Sequence, residues 1–323
     1  WFLRKKEGVE ESLPFKVIGV GNLTWGGTGK TPFVEYLARK LINHTKVGVV
    51  TTGYRASKRV GLLGKDRIGA LTWKDIGDES FLLKEKLPDI PLAFSRNRRL
   101  ASFMLYRAFQ TECVVLDDAF QYMGMKKDLE ILLIDSTEPL GNRYLIPRGK
   151  LREPYYAVSR ADLLIFTKCN SGRINKKEIS FIQKNFSQIP SLRGFYKPKF
   201  LRRRDNKEIL PLVTIKGKRI GVLSALGDPY YFEETLCMLG AKIERIARFQ
   251  DHHFYTRKEV KKFLSFLSRG TELIITTEKD ILKLPPEELL LFPVYSLVIE
   301  FEFMEGEEKL EEKLRKIIPP KVK

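Results

Sequence analysis

The chain has 323 residues, 43% of them hydrophobic, and 58 Lys and Arg against 40 Asp and Glu give a net charge of +18. That apolar content excludes wholesale disorder and leaves room for two domains of ordinary size. Three cysteines (Cys113, Cys169, Cys237) without a CxxC pair exclude a disulfide or zinc framework, and no apolar run reaches the roughly 20 residues that a spanning helix needs.

In chain order, Trp1–Lys6 has the aromatic and basic character of the end of a membrane-interface segment, and the non-Met start suggests something upstream. Phe15–Val20 is a strand. Residues 32–41 place Phe33, Val34, Leu37, Ala38 and Leu41 on one helical face. Strands are expected at 46–50, 114–116, 131–134 and 163–166. This alternation implies a parallel sheet covered by helices, with ligands at the carboxyl ends of its strands. The Pro- and charge-rich stretch 193–212 reads as a linker or an irregular strand pair. The alternation then restarts: strand 219–223, helix 229–239, strand 242–246, a helix capped by Thr256 and Glu259, strand 272–276, strand 294–302 and a charged helix 307–317. The expectation is a nucleotide-binding α/β domain over 1–192, a linker over 193–212, and a smaller α/β domain over 213–323. The last strand and helix could return to the linker or to the first domain.

Residues 24–31, Thr-Trp-Gly-Gly-Thr-Gly-Lys-Thr, lie between the first strand and the first helix. They form a variant of the G-x-x-x-x-G-K-[ST] phosphate loop, with Thr24 in place of the first glycine. Thr24, Gly26, Gly27, Thr28, Gly29, Lys30 and Thr31 would cradle ATP. Backbone N–H groups would turn inward, Lys30 would reach the β and γ phosphates, and the Thr31 hydroxyl would face Mg²⁺. Asp117 and Asp118 end an apolar run and are the candidate metal acids.

The segment Gly21–Pro32 resembles the GNL[ST]xGG[ST]GKT loop of tetraacyldisaccharide 4′-kinases. The resemblance continues in order: Gly53-Tyr54-Arg55 with RGY, Gly77-Asp78-Glu79 with GDEP, Asp117–Tyr122 with DDGFQH, Leu145–Pro154 with LLPxGxLREP, Asp251–Thr256 with DHHxYT, and Thr276–Asp280 with TTEKD. Thr52, Ser80, Asn97, Ala119 and Tyr122 depart from the family pattern. The resemblance implies phosphate transfer from ATP, with Mg²⁺, to the 4′-hydroxyl of a tetraacyldisaccharide 1-phosphate, the lipid A precursor. It implies two α/β domains that hinge around the site. It also implies a membrane-binding helix upstream of Trp1 and work at the cytoplasmic face of the bacterial inner membrane. Asp78 and His252 would be the catalytic pair beside Lys30, and either could take the hydroxyl proton. Tyr54, Glu79, Arg98, Gln121 and Arg152 would meet the acceptor or its phosphates.

Two other function classes fit less well. A dimeric partition or metal-insertion ATPase carries an extra loop lysine where Trp25 stands. A specific nucleic-acid binder would show a recognition motif, and the basic charge is instead scattered in short clusters suited to an anionic membrane surface. No obligate protein partner is implied.

Overall fold

The first strand, β1 (Lys16–Asn22), is buried at six of its seven positions, as a strand covered on both faces must be. The computed structural model describes residues 13–65, 69 and 71–318; Trp1–Lys6 falls outside them. From β1 the chain continues as α1 (Lys30–Leu41), β2 (Val47–Thr51), β3 (Val60–Leu63), α2 (Trp73–Ile76), α3 (Asp78–Lys86), β4 (Leu92–Ser95), α4 (Arg98–Phe109), β5 (Cys113–Leu116), β6 (Leu129–Asp135), β7 (Leu163–Thr167), α5 (Lys176–Asn185) and β8 (Ser191–Arg202). Then follow β9 (Ile209–Leu210), β10 (Arg219–Ser224), α6 (Pro229–Met238), β11 (Lys242–Arg248), α7 (Arg257–Leu267), β12 (Leu273–Thr277), α8 (Glu278–Ile281), α9 (Pro286–Leu291), β13 (Val294–Glu305) and α10 (Glu307–Ile317).

The described strands form one sheet in the order β11-β10-β12-β13-β8-β7-β6-β1-β5-β2-β4-β3, with β9 pairing β8. It contains two parallel runs. The first, β8-β7-β6-β1-β5-β2-β4, is closed at its edge by antiparallel β3; the second is β11-β10-β12-β13. The two meet at the antiparallel pair β8 and β13, each twelve residues long. Residues 193–212, expected as a linker or irregular strand pair, therefore hold most of β8, then β9 and a short 3₁₀ turn. Pro198 hid the strand. It sits where the register slips between Val298 and Ile299, at a bulge that tolerates a residue without an N–H.

Helix α1 buries Phe33, Val34, Leu37, Ala38 and Leu41, the face that its spacing dictates. Phe33 meets Phe301 of β13 edge-to-face at 5.0 Å, so the first-half helix packs on the junction strand. Lys40 of α1 pairs with Glu307 and Glu311 of α10, both at 2.7 Å, which brings the last helix back against the first half. Helix α7 starts at the capping box of Thr256 and Glu259.

Candidate active site

The carboxyl ends of strands from both parallel runs open into one cavity of about 570 Å³. Its floor is the loop Thr24–Thr31. Gly29 adopts φ +76°, and a Cβ there would lie 1.9 Å from the Tyr196 hydroxyl oxygen, so only glycine fits. Tyr196, buried on β8, donates its O–H to the Thr28 carbonyl at 2.7 Å and lies 3.1 Å from that of Gly29. The junction strand thus braces the loop from beneath. Trp25 stands 59% exposed and lines the cavity, so it is not packed under the loop.

Lys30, first residue of α1, points at Asn22 Oδ1 (3.1 Å) and Asp118 Oδ1 (3.4 Å). Arg152 grips Asp118 bidentately at 2.6 and 3.0 Å and also reaches Asn22 Oδ1 at 3.2 Å. Burial alone would raise the Asp118 carboxyl, but Lys30 and Arg152 hold it well below the usual carboxylate range. Its neighbour Asp117 goes the other way. Burial, then the Glu79 charge, pushes it up to about 7, and its Oδ1 is buried without a hydrogen-bond partner.

Across the cavity, Gly77 (φ +88°) starts α3 against the Tyr54 backbone, where a Cβ would come within 2.7 Å of the Tyr54 carbonyl oxygen. This close approach fixes the start of α3, where Asp78 is buried against Glu79 and His252, which line the cavity. The Asp78 carboxylate faces His252 Nδ1 at 3.1 and 3.2 Å. His252 comes from the segment after β11 and holds a left-handed φ of +59°, as the cavity residues Asp118 (+51°) and Lys168 (+57°) do. Three such residues around one cavity mark a site where backbone strain is maintained by its surroundings. The Tyr54 ring meets the His252 ring edge-on at 4.9 Å. Burial would raise Asp78, but the His252 hydrogen bond and the charges of Lys279, His252 and Lys283 bring it down to about 2.

The family model of tetraacyldisaccharide-1-P 4′-kinase matches residues 2–319. A tetraacyldisaccharide 4′-kinase of Geobacter sulfurreducens is 34% identical, over 88% of this chain and 79% of that protein. One of Phocaeicola vulgatus is 33% identical, over 93% and 85%. The crystal structure of LpxK from Aquifex aeolicus, an "apo" form in complex with ATP, superposes with a TM-score of 0.74 at 30% identity, covering 95% of this chain and 89% of that one. The chain belongs to the tetraacyldisaccharide 4′-kinase family. Its family is that of an ATP-dependent kinase, a phosphotransferase acting on a sugar hydroxyl, and the switch-ATPase alternative is the weaker one.

In this kinase the other expected residues fall as follows. Gln121 spends its amide N–H on the Asn22 carbonyl (2.9 Å), and its Oε1 is buried without a partner. Arg98, buried on α4, donates to the Asp118 carbonyl and stacks 5.1 Å over Tyr122. Glu79 lies 3.7 Å from Lys279. The Thr31 hydroxyl, at the cavity wall, engages none of the described residues. Sequence reasoning gave no role to several residues that the kinase fold brings in. Asn22 joins Lys30, Arg152 and the Thr24 carbonyl. Lys279 sits 3.0 Å from Asp251 and 3.2 Å from His252 Nε2. Lys168, after β7, is paired with Asp135 and, at 2.8 Å, with Asp228 after β10, so it ties the two parallel runs together. Lys279 was visible within the Thr276–Asp280 motif; Lys168 and Asp228 carried no local signal.

Proposed function

We propose that the chain transfers the γ-phosphate of ATP to the 4′-hydroxyl of tetraacyldisaccharide 1-phosphate, with Asp78 receiving the hydroxyl proton and His252 orienting it. The observation that carries this reading is that His252, which holds Asp78 at 3.1 Å, lines the same cavity as the loop Gly26–Thr31. Both nitrogens of His252 are engaged, Nδ1 by Asp78 and Nε2 by Lys279. That leaves the Asp78 carboxylate, whose Oδ1 also accepts from the Glu79 N–H at 3.0 Å, as the member of the pair with lone pairs to spare for a proton.

Lys30 and the backbone N–H groups of Gly26–Gly29 would bind the β and γ phosphates at the start of α1. Arg152 would exchange Asp118 for phosphate as charge moves in transfer. Arg98 and Tyr54, which line the cavity, would seat the sugar and its phosphate, whereas Gln121 lies outside the lining and would act through its bond to the Asn22 carbonyl. Mg²⁺ fits the chemistry present: Thr31 offers a hydroxyl, and the orphaned Asp117 carboxylate, crowded by Glu79, offers an unsatisfied charge with Asp118 adjacent. Among the described residues no three His, Cys, Asp or Glu side chains form a ready cage, which suits an ion held mainly by phosphates, water and one or two carboxylates. When bound, it would neutralise charge on the transferring phosphate.

Asp78 belongs to the first parallel run and His252 to the second. A hinge at the β8–β13 junction would let closure assemble the pair around bound acceptor and limit idle ATP hydrolysis. The acceptor is an amphiphile, and the basic surface of the chain suits the anionic cytoplasmic leaflet. The test is phosphate transfer from ATP·Mg²⁺ to tetraacyldisaccharide 1-phosphate in detergent micelles. The expected losses for Asp78→Ala and His252→Ala are about 10²- to 10⁴-fold. A folded, ATP-binding wild type that transfers nothing to this acceptor would refute the reading.

A further inference from the structure

We infer that the loop 142–156, with the neighbouring face of α5, is the surface by which this kinase lies on an anionic bilayer. The inference rests on the lipid-acceptor reading, because an acceptor held in a membrane requires one face of the enzyme to carry the cleft to it.

Residues 142–148 are all exposed, and they include Tyr144, Leu145 and Ile146 in succession, each between 45% and 47% exposed. Tyr155 (38%) and Tyr156 (64%) follow. Consecutive exposed apolar side chains cost solubility unless something receives them. The patch is continuous. The Arg143 guanidinium stacks 4.0 Å over Phe181 of α5, and Phe181 lies 5.8 Å from the Tyr155 ring. Arg148 stacks 3.9 Å over Tyr144. The loop is pinned to the rim of the active cavity, since Trp25 N–H donates to the Lys150 carbonyl at 2.6 Å and Thr24 bridges to Leu151. A membrane received here would therefore lie beside the phosphate loop.

Charge decides the occupant. Arg148, Lys176, Lys177 and Lys184 are exposed around the apolar residues, and no acidic side chain of the described residues pairs with them. Arginine stacked on tyrosine beside aliphatic tips is the composition of an interfacial anchor: apolar atoms enter the headgroup boundary and cations meet lipid phosphates. A protein partner of complementary shape would not require an unpaired cationic ring.

The test uses the chain with an environment-sensitive fluorophore at Ile146→Cys in a Cys237→Ser background. The control is the same label on native Cys237, which is exposed on α6. Each is mixed with phosphatidylglycerol-containing vesicles and with phosphatidylcholine vesicles. The expected result is a blue shift at position 146 with the anionic vesicles and none at Cys237. The variant Leu145→Glu/Ile146→Glu should lower anionic-vesicle partition about tenfold while leaving transfer to micelle-dispersed acceptor unchanged, which also shows that it folds. Arg148→Glu should lower partition about fivefold or more. A label at 146 that stays in water while the protein sediments with vesicles, or equal binding to both vesicle types, would overturn this docking face. Failure of transfer in micelles would instead overturn the acceptor assignment on which it rests.

Discussion

The Lys279 ammonium lies 3.2 Å from Nε2 of His252. Burial disfavours that charge, but Glu79, Asp78 and Asp251 surround it and hold the lysine protonated, well above its ordinary range. An ammonium can only donate, so Nε2 must accept. The ring proton is therefore on Nδ1, directed at Asp78. Lys279 in this way fixes the tautomer of His252 and keeps the Asp78 carboxylate ionised.

Lys279→Met should lower kcat about tenfold to a hundredfold with little change in ATP affinity. It should also move the acid limb of the pH–rate profile upward. As the proposed proton acceptor Asp78 must be ionised; its pKa is held near 2 partly by the Lys279 charge, and removal of that charge lets it rise. A pH profile of kcat/KM for wild type and variant checks this. An unmoved acid limb would show that Lys279 only packs.

Much of this site was legible because its parts are contiguous in sequence. The loop 24–31, the pair Asp117-Asp118 and His252 each sit in a short motif following a strand, where ligand-binding residues of such sheets collect, and Asp78 sits in a short motif at the start of α3. What the sequence hid depends on tertiary contact. Tyr196 reads as one more aromatic in a Pro- and Lys-rich stretch, yet it braces Thr28 from more than 160 residues away. Lys168 and Asp228 gain meaning only when β7 and β10 share a sheet. Four-residue β4 and β5 are at the limit of what periodicity can resolve, and of the two only β5 was expected.

The brace beneath the phosphate loop should be measurable. Gly29→Ala places a methyl 1.9 Å from the Tyr196 oxygen and also strains a φ of +76°. It should abolish ATP binding by calorimetry. Tyr196→Phe removes only the hydroxyl and should weaken ATP about fivefold, the worth of one buried hydrogen bond. Wild-type affinity in Gly29→Ala would mean that the loop is not held from β8.

Arg55 links the first parallel run to the histidine segment. Its guanidinium donates to the His252 carbonyl and stacks 5.4 Å over Phe254 and 5.6 Å over Tyr54. Arg55→Ala should therefore lower kcat about fivefold while leaving KM for ATP unchanged, and Arg55→Lys should recover part of the loss. A change confined to ATP KM would place Arg55 at the nucleotide instead.

Asp117 couples stability to function with opposite signs. In the unfolded chain its proton leaves near the ordinary Asp value of 3.8, whereas in the folded state burial and the Glu79 charge hold it until about 7. The folded state thus binds more protons across that window, and raising the pH through it favours unfolding. Asp117→Asn removes the buried ionisable group, so the nucleotide-free variant should melt higher than wild type, with a larger gap at about pH 8 than at about pH 5. The same change deletes the orphaned carboxylate oxygen that Mg²⁺ would meet. Turnover should then fall about a hundredfold, and Mg·ATP should raise the melting temperature less than in wild type. Thermal melts at the two pH values, with and without Mg·ATP, separate the effects. A variant that melts lower without nucleotide, at both pH values, would mean that the Asp117 carboxylate supports the fold rather than waiting for a cation.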